Sequence, residues 1–185
     1  MTCIAKDVFV TINSFSLSPM NTPSKIVFYT TGGTIDKIYF DKKSTYEIGE
    51  SLLTKILSES NVMFKYEIKS IMKKDSLDIT DRDRKLIYNT LKADSAKQIV
   101  LTHGTDTIVK TAQKLKGIKD KVIVLTGSII PARFRDSDAV FNVASAIIAA
   151  QLLQPGVYIA INGRVFTPDN IRKDTEKGVF RTLEE

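Results

Sequence analysis

The sequence predicts an α/β fold: a doubly wound, mostly parallel sheet flanked by helices in a three-layer αβα arrangement. Three observations predict it. Five short apolar runs rich in β-branched residues recur along the chain. Helical patterns fill the gaps between them. Polar, mostly glycine-bearing loops follow the carboxyl end of each run, as in the Rossmann and flavodoxin architectures.

The strand candidates are 25–31, 63–68, 98–102, 121–126 and 156–161. Runs such as Ile99-Val100-Leu101 and Val122-Ile123-Val124-Leu125 do not alternate in polarity. Continuous apolar runs of this length suit parallel strands covered on both faces. The helix candidate 50–58 carries Leu52, Leu53, Ile56 and Leu57 on one face. The next, 81–92, carries Leu86, Ile87 and Leu91, and Thr80 with Asp83 forms a capping-box start. A third, 106–116, carries Ile108, Val109, Ala112 and Leu115, with Gly117 expected as its C-cap. The last, 138–153, is long and apolar and stops at Pro155-Gly156. Alternation of this kind produces right-handed crossovers around a parallel sheet.

The 185 residues suit one domain, expected over 25–185, with a core of substantial size. Residues 1–24 read as a disordered or wrongly assigned leader, with Met20 an alternative start. They lack the apolar core and small-residue cleavage site of a signal peptide. No apolar run approaches the length needed to cross a bilayer. The net charge of +6 comes from 27 basic and 21 acidic residues. These are interleaved, as in Asp81-Arg82-Asp83-Arg84-Lys85, so no basic block points to nucleic acid. One cysteine, Cys3, and one histidine, His103, exclude an intrachain disulfide and argue against a His/Cys metal site. No metal and no cofactor is expected, and the cysteine count fits a reducing cytoplasm.

Ligands of doubly wound sheets bind beyond the carboxyl ends of the strands. Five loops therefore decide function: Thr30-Thr31-Gly32-Gly33-Thr34; Lys74-Asp75-Ser76-Leu77-Asp78; Thr102-His103-Gly104-Thr105-Asp106-Thr107; Thr126-Gly127-Ser128; and Asn162-Gly163 followed by Arg172-Lys173-Asp174. Glycines there let backbone N–H groups approach a ligand. Each hydroxyl alone reads as a turn or cap residue. Their convergence at one edge points to acyl transfer by a threonine or serine. His103 reads as structural, packed at a strand end.

Two of these segments, Thr31-Gly32-Gly33-Thr34-Ile35 and Thr102-His103-Gly104-Thr105-Asp106-Thr107, resemble the signature motifs of bacterial-type L-asparaginases. The resemblance runs from about residue 25 to about residue 180. It implies a nucleophilic threonine at Thr34, a lid tyrosine at Tyr46 and a substrate-binding serine at Ser76. It also implies a second threonine with its aspartate at Thr105 and Asp106, and an active-site lysine at Lys173. Gly33, Asp75, Gly104 and Ser128 are expected to line the substrate with Ser76. The stretch Thr126-Gly127-Ser128 with Asp138 and Asn142 is similar to the family's fourth loop and helix. Family members carry a second, C-terminal domain that builds a dimer and lends an acidic residue to the neighbouring site; nothing in this sequence matches it.

The implied reaction is hydrolysis of the side-chain amide of asparagine or glutamine, releasing ammonia. A threonine hydroxyl needs a base, which Lys173 supplies if oriented by Asp106 and bridged by Thr105. Thr34 is the favoured first nucleophile; the alternative has Thr105 activating water beside Lys173. Two other classes compete. One is a non-catalytic amino-acid-binding module or sensor, separated from the enzyme by an ammonia-release assay. The other is a nucleotide-binding domain, disfavoured because neither Gly-x-Gly-x-x-Gly nor a Walker lysine motif is present. The expected assembly is a homodimer through exposed apolar helix faces.

Overall fold

The computed structural model describes residues 25–40 and 45–185; the expected leader over 1–24 lies outside them. The chain begins with β1 (Ile26–Gly32), then a hairpin of β2 (Lys37–Phe40) and β3 (Thr45–Ile48), then α1 (Leu53–Glu59). Next come β4 (Tyr66–Lys74), α2 (Asp81–Ala93), β5 (Gln98–Thr102), α3 (Ile108–Leu115) and β6 (Val122–Thr126). The chain closes with α4 (Ala139–Leu152), β7 (Gly156–Ile161), β8 (Arg164–Phe166) and a hairpin of β9 (Arg172–Asp174) and β10 (Val179–Arg181).

The main sheet has the order β4-β1-β5-β6-β7-β8. Its first five strands pair in parallel and β8 pairs antiparallel at the edge. The parallel strands thus follow the flavodoxin-like doubly wound order, whose direction of winding reverses between β1 and β5. Alternate residues feed two cores. Val27, Tyr29, Ile99, Leu101, Ile123 and Leu125 pack with Ile87 and Leu91 of α2 and with Ile108 and Leu115 of α3. Ile26, Phe28, Val100, Val122 and Val124 pack with Leu53 and Leu57 of α1 and with Val143 and Ala146 of α4. Burial on both faces explains why these strands are apolar without alternation. Each fully buried Leu or Ile stabilises by roughly 1.5–3 kcal/mol.

Several boundaries differ from expectation, among them α1, which runs Leu53–Glu59 instead of 50–58. The second strand is Tyr66–Lys74, not 63–68. It is an edge strand, and its exposed positions are Tyr66, Ser70 and Lys73 instead of the apolar run that marks a buried strand. Met63 is 90 % exposed, so its side chain belongs to the connection. Helix α3 starts at Ile108, because Thr105 and Asp106 are held in the turn before it. Its C-cap is Lys116, whereas Gly117 makes room for Tyr88, whose Oη lies 3.1 Å from where a Cβ would sit. The Thr80–Asp83 capping box forms as expected, with both reciprocal bonds present. Among the described residues no helix is long and apolar enough to cross a membrane.

Candidate active site

The turn after β1 is built by two left-handed glycines, Gly32 at φ 91° and Gly33 at φ 87°. Side chains are disfavoured at both. The Gly33 N–H donates to the Lys74 carbonyl at 2.9 Å, pinning the turn to the end of β4. A Cβ on Gly33 would lie 2.5 Å from the backbone of Gly104. The loops after β1 and β5 therefore touch through bare backbone at the point where the winding reverses. Thr34 begins a one-turn 3-10 helix, Thr34–Asp36, immediately beyond this contact.

Two more glycine contacts draw in the neighbouring loops. A Cβ on Gly104 would lie 2.6 Å from Ser76 Cβ. A Cβ on Gly127 would lie 2.2 Å from the His103 carbonyl oxygen. Thr107 Oγ1 donates to the Ser76 carbonyl at 2.7 Å, holding the β4 loop to the β5 loop. Asp75 accepts from Leu77 N–H at 3.1 Å and pairs with Lys37 at 2.7 Å. Burial opposes its ionisation, but the Lys37 ammonium and the Leu77 and Ser76 N–H groups together outweigh that and hold the carboxyl below its usual range.

Lys173 reaches this edge from β9. Its Nζ donates to Thr105 Oγ1 at 2.8 Å and to Asp106 Oδ1 at 2.5 Å. The lysine side chain is only 17 % exposed. A hydroxyl, an amine and a carboxylate separated by 67 and 68 positions in sequence are thus joined by direct, charge-assisted hydrogen bonds. The expected Thr105–Asp106–Lys173 cluster is present in this geometry.

The family model described as Asparaginase, N-terminal, matches residues 25–180. The chain belongs to the asparaginase family. It is 32 % identical over 157 residues to an L-asparaginase of Thermococcus kodakarensis, covering 80 % of this chain and 47 % of that protein. It is 27 % identical over 164 residues to a glutaminase-asparaginase of Acinetobacter glutaminasificans, covering 81 % and 50 %. The solved structure of the thermostable Thermococcus kodakarensis L-asparaginase superposes with a TM-score of 0.75 at 27 % identity, covering 87 % of this chain and 52 % of that one. The chain thus spans about half the length of these relatives.

Within this asparaginase-family domain the other expected residues fall in two groups. Gly33, Gly104, Ser76 and Ser128 lie in the converging loops, with Ser76 and Ser128 fully buried. Ser128 Oγ is sealed without a hydrogen-bond partner. Tyr46, by contrast, stays on the β2–β3 hairpin and is 53 % exposed. It faces Tyr39 across the hairpin, with ring centroids 5.4 Å apart, and borders a groove shared with Lys37, Asp75 and Asp78. It is not brought to the Lys173 cluster.

His103 is fully buried and structural, as its position at a strand end suggested. Nδ1 lies 2.8 Å from the Gly104 carbonyl, which only accepts, so Nδ1 carries the proton. Nε2 then accepts from Thr111 Oγ1 at 2.9 Å. Burial pushes its pKa down to about 4, so the ring is neutral at physiological pH. Sequence reasoning missed Asp36. This carboxylate is buried beside Ile35, and its Oδ1 has no partner. Burial pushes its pKa up to about 6, partly offset by the Ser51 hydroxyl. The signal was an acid placed within the Gly-Gly-Thr-Ile-Asp turn itself, where solvent exposure is not guaranteed.

Proposed function

We propose that this domain carries the chemistry of an amidohydrolase that converts asparagine, or glutamine, to the corresponding acid and ammonia. The carrying observation is the Lys173 Nζ bridging Thr105 and Asp106 beside the Gly33–Gly104 contact. Substrates enter at the reversal point of the sheet, where the Thr34 and Thr105 turns meet.

In this reading Thr34 Oγ attacks the amide carbon. Its proton passes through Thr105 to Lys173 Nζ, and Asp106 stabilises the ammonium that results. The carbonyl oxygen becomes an oxyanion, met by backbone N–H groups near Thr34 and Ser128. Collapse breaks the C–N bond, and Lys173 returns the proton to the departing ammonia. Water then attacks the threonine ester, Lys173 takes the water's proton and returns it to Thr34 Oγ as the acyl C–O bond breaks, and the free carboxylic acid leaves. Asp75, Ser76 and Asp106 orient the amino and carboxylate groups of the amino acid. Tyr46 acts from the hairpin, closing over Thr34 when substrate is bound. Residues 25–185 form the N-terminal-type domain of the family, placed in the cytoplasm. Pairing with a second copy uses the exposed Val140, Phe141, Ile148 and Leu152 of α4.

The test is ammonia release by the purified chain with asparagine and with glutamine, beside calorimetric binding of each. Turnover of either amide supports the reading. Binding without ammonia replaces it with an amino-acid sensor.

A further inference from the structure

The β9–β10 hairpin that carries Lys173 lies outside the main sheet and has three residues on each strand. A two-stranded hairpin is marginal on its own, so something else must fix its place. Phe180 sits opposite Lys173 in the hairpin register and is buried in the core. Its N–H donates to Asn162 Oδ1 at 2.9 Å.

Asn162 occupies the left-handed region at φ 52°, followed by Gly163 at φ 72°. These two residues make the tight turn between β7 and β8, a site for which Asn-Gly is preferred. The Asn162 N–H donates to Asn142 Oδ1 at 3.0 Å. Asn142 is fully buried on α4, and its Nδ2 donates to the Gly127 carbonyl at 2.9 Å and to Asp138 Oδ2 at 2.8 Å. Asp138 in turn accepts from Ile129 N–H at 3.0 Å and Ile130 N–H at 3.0 Å. One line of hydrogen bonds therefore runs from both sides of Ser128, through α4 and the β7–β8 turn, to the strand paired with Lys173.

We infer that Asn142 and Asn162 are positioning residues that hold Lys173 and the Ser128 loop in fixed register. The side-chain chemistry is specific. Position 142 must donate to one carbonyl and accept from one N–H at once, which an amide does and a carboxylate does not. Position 162 must adopt positive φ and offer an acceptor, which asparagine and aspartate do and glycine does not. The catalytic consequence rests on the amidohydrolase reading; the placement of Lys173 does not.

Asn162→Gly keeps the backbone conformation and deletes only the acceptor, whereas Asn162→Asp keeps the acceptor. The first readout is acetylation of Lys173 in the intact chain by an amine-reactive reagent, measured by mass spectrometry against Lys97, whose side chain is 70 % exposed. The second is hydrogen exchange at the Phe180 amide, measured in the unmodified chain as well. The third is the split between kcat and KM. Asn162→Gly is expected to speed Lys173 labelling and Phe180 exchange, and to lower kcat about tenfold with KM within about twofold. Asn162→Asp is expected to restore all three. Lys173 labelling unchanged in a folded Asn162→Gly chain, or a Phe180 amide that exchanges freely in the unmodified chain, overturns the inference. If the unmodified chain binds amides but releases no ammonia, the amidohydrolase reading fails, while labelling and exchange still decide the placement.

Discussion

On the β5 side of the site, Thr105, Asp106 and Lys173 are tied together by side-chain hydrogen bonds at 2.8 and 2.5 Å. On the β1 side, no side-chain bond to Thr34 itself is seen among the described residues; its turn is held by Gly33 against Gly104, the Gly33 N–H on the Lys74 carbonyl, and the burial of Ile35 beside it. The hairpin that follows Thr34 forms its own two-stranded sheet and presents Tyr46 to solvent. The contrast teaches how this site divides its work. The groups proposed as base and orienting acid are preorganised, so little rearrangement is needed where charge develops. The hydroxyl proposed to attack lies on the side with fewer side-chain restraints, where a substrate has to enter and be covered.

If the ordered side is the catalytic base, removing its centre costs the most. Lys173→Met is expected to lower kcat about 10³-fold, roughly 4 kcal/mol, with secondary structure retained by circular dichroism. A loss of less than tenfold moves the base elsewhere.

The two sides also carry buried ionisable groups of opposite sign dependence. His103, with its pKa lowered from 6.5 to about 4, contributes stability that is present above about pH 6.5 and lost as pH falls through about 4. His103→Ala is expected to cost roughly 3 kcal/mol at pH 7, from the cavity and the two lost hydrogen bonds, and less at pH 4. Urea unfolding at both pH values checks this. Asp36 acts the other way. Its pKa is raised from 3.8 to about 6, so it destabilises the fold increasingly as pH rises through that window. Asp36→Asn is expected to raise stability at pH 7 by roughly 3 kcal/mol and by far less at pH 4. An equal gain at both pH values would show that the carboxylate is not the cause.

The smallest effect is expected at the exposed hairpin. Tyr46→Ala removes an edge-on contact with Tyr39 and is expected to shift unfolding by about 1 kcal/mol or less. A larger loss, measured in the same urea titration, would mean the hairpin belongs to the core.

How far the sequence disclosed this molecule follows the same division. β1, β5, β6 and β7 were legible because both faces are buried and the runs are apolar throughout. β4 was legible only in part, since an edge strand with Lys69 and Lys73 on it carries no apolar run. The β9–β10 hairpin was not legible as strands. Arg172, Lys173 and Asp174 read as a solvated charged stretch, and only tertiary partners such as Asn162 and Phe180 order them. The Asn162-Gly163 dipeptide was legible only as a loop after the last buried strand; positive φ at both residues makes it the tight turn into β8. For the site, the loops and glycines were readable from their order along the chain. The burial of Asp36 and the bridging role of Asn142 were not, because neither depends on local pattern.

The most direct measurement is ammonia release from asparagine by Thr34→Ala beside Thr105→Ala, each confirmed folded. The account predicts that both fall by about 10³-fold or more, because the attacking hydroxyl and its link to Lys173 are both required. Turnover that survives in either variant within a few-fold of the unmodified chain contradicts it.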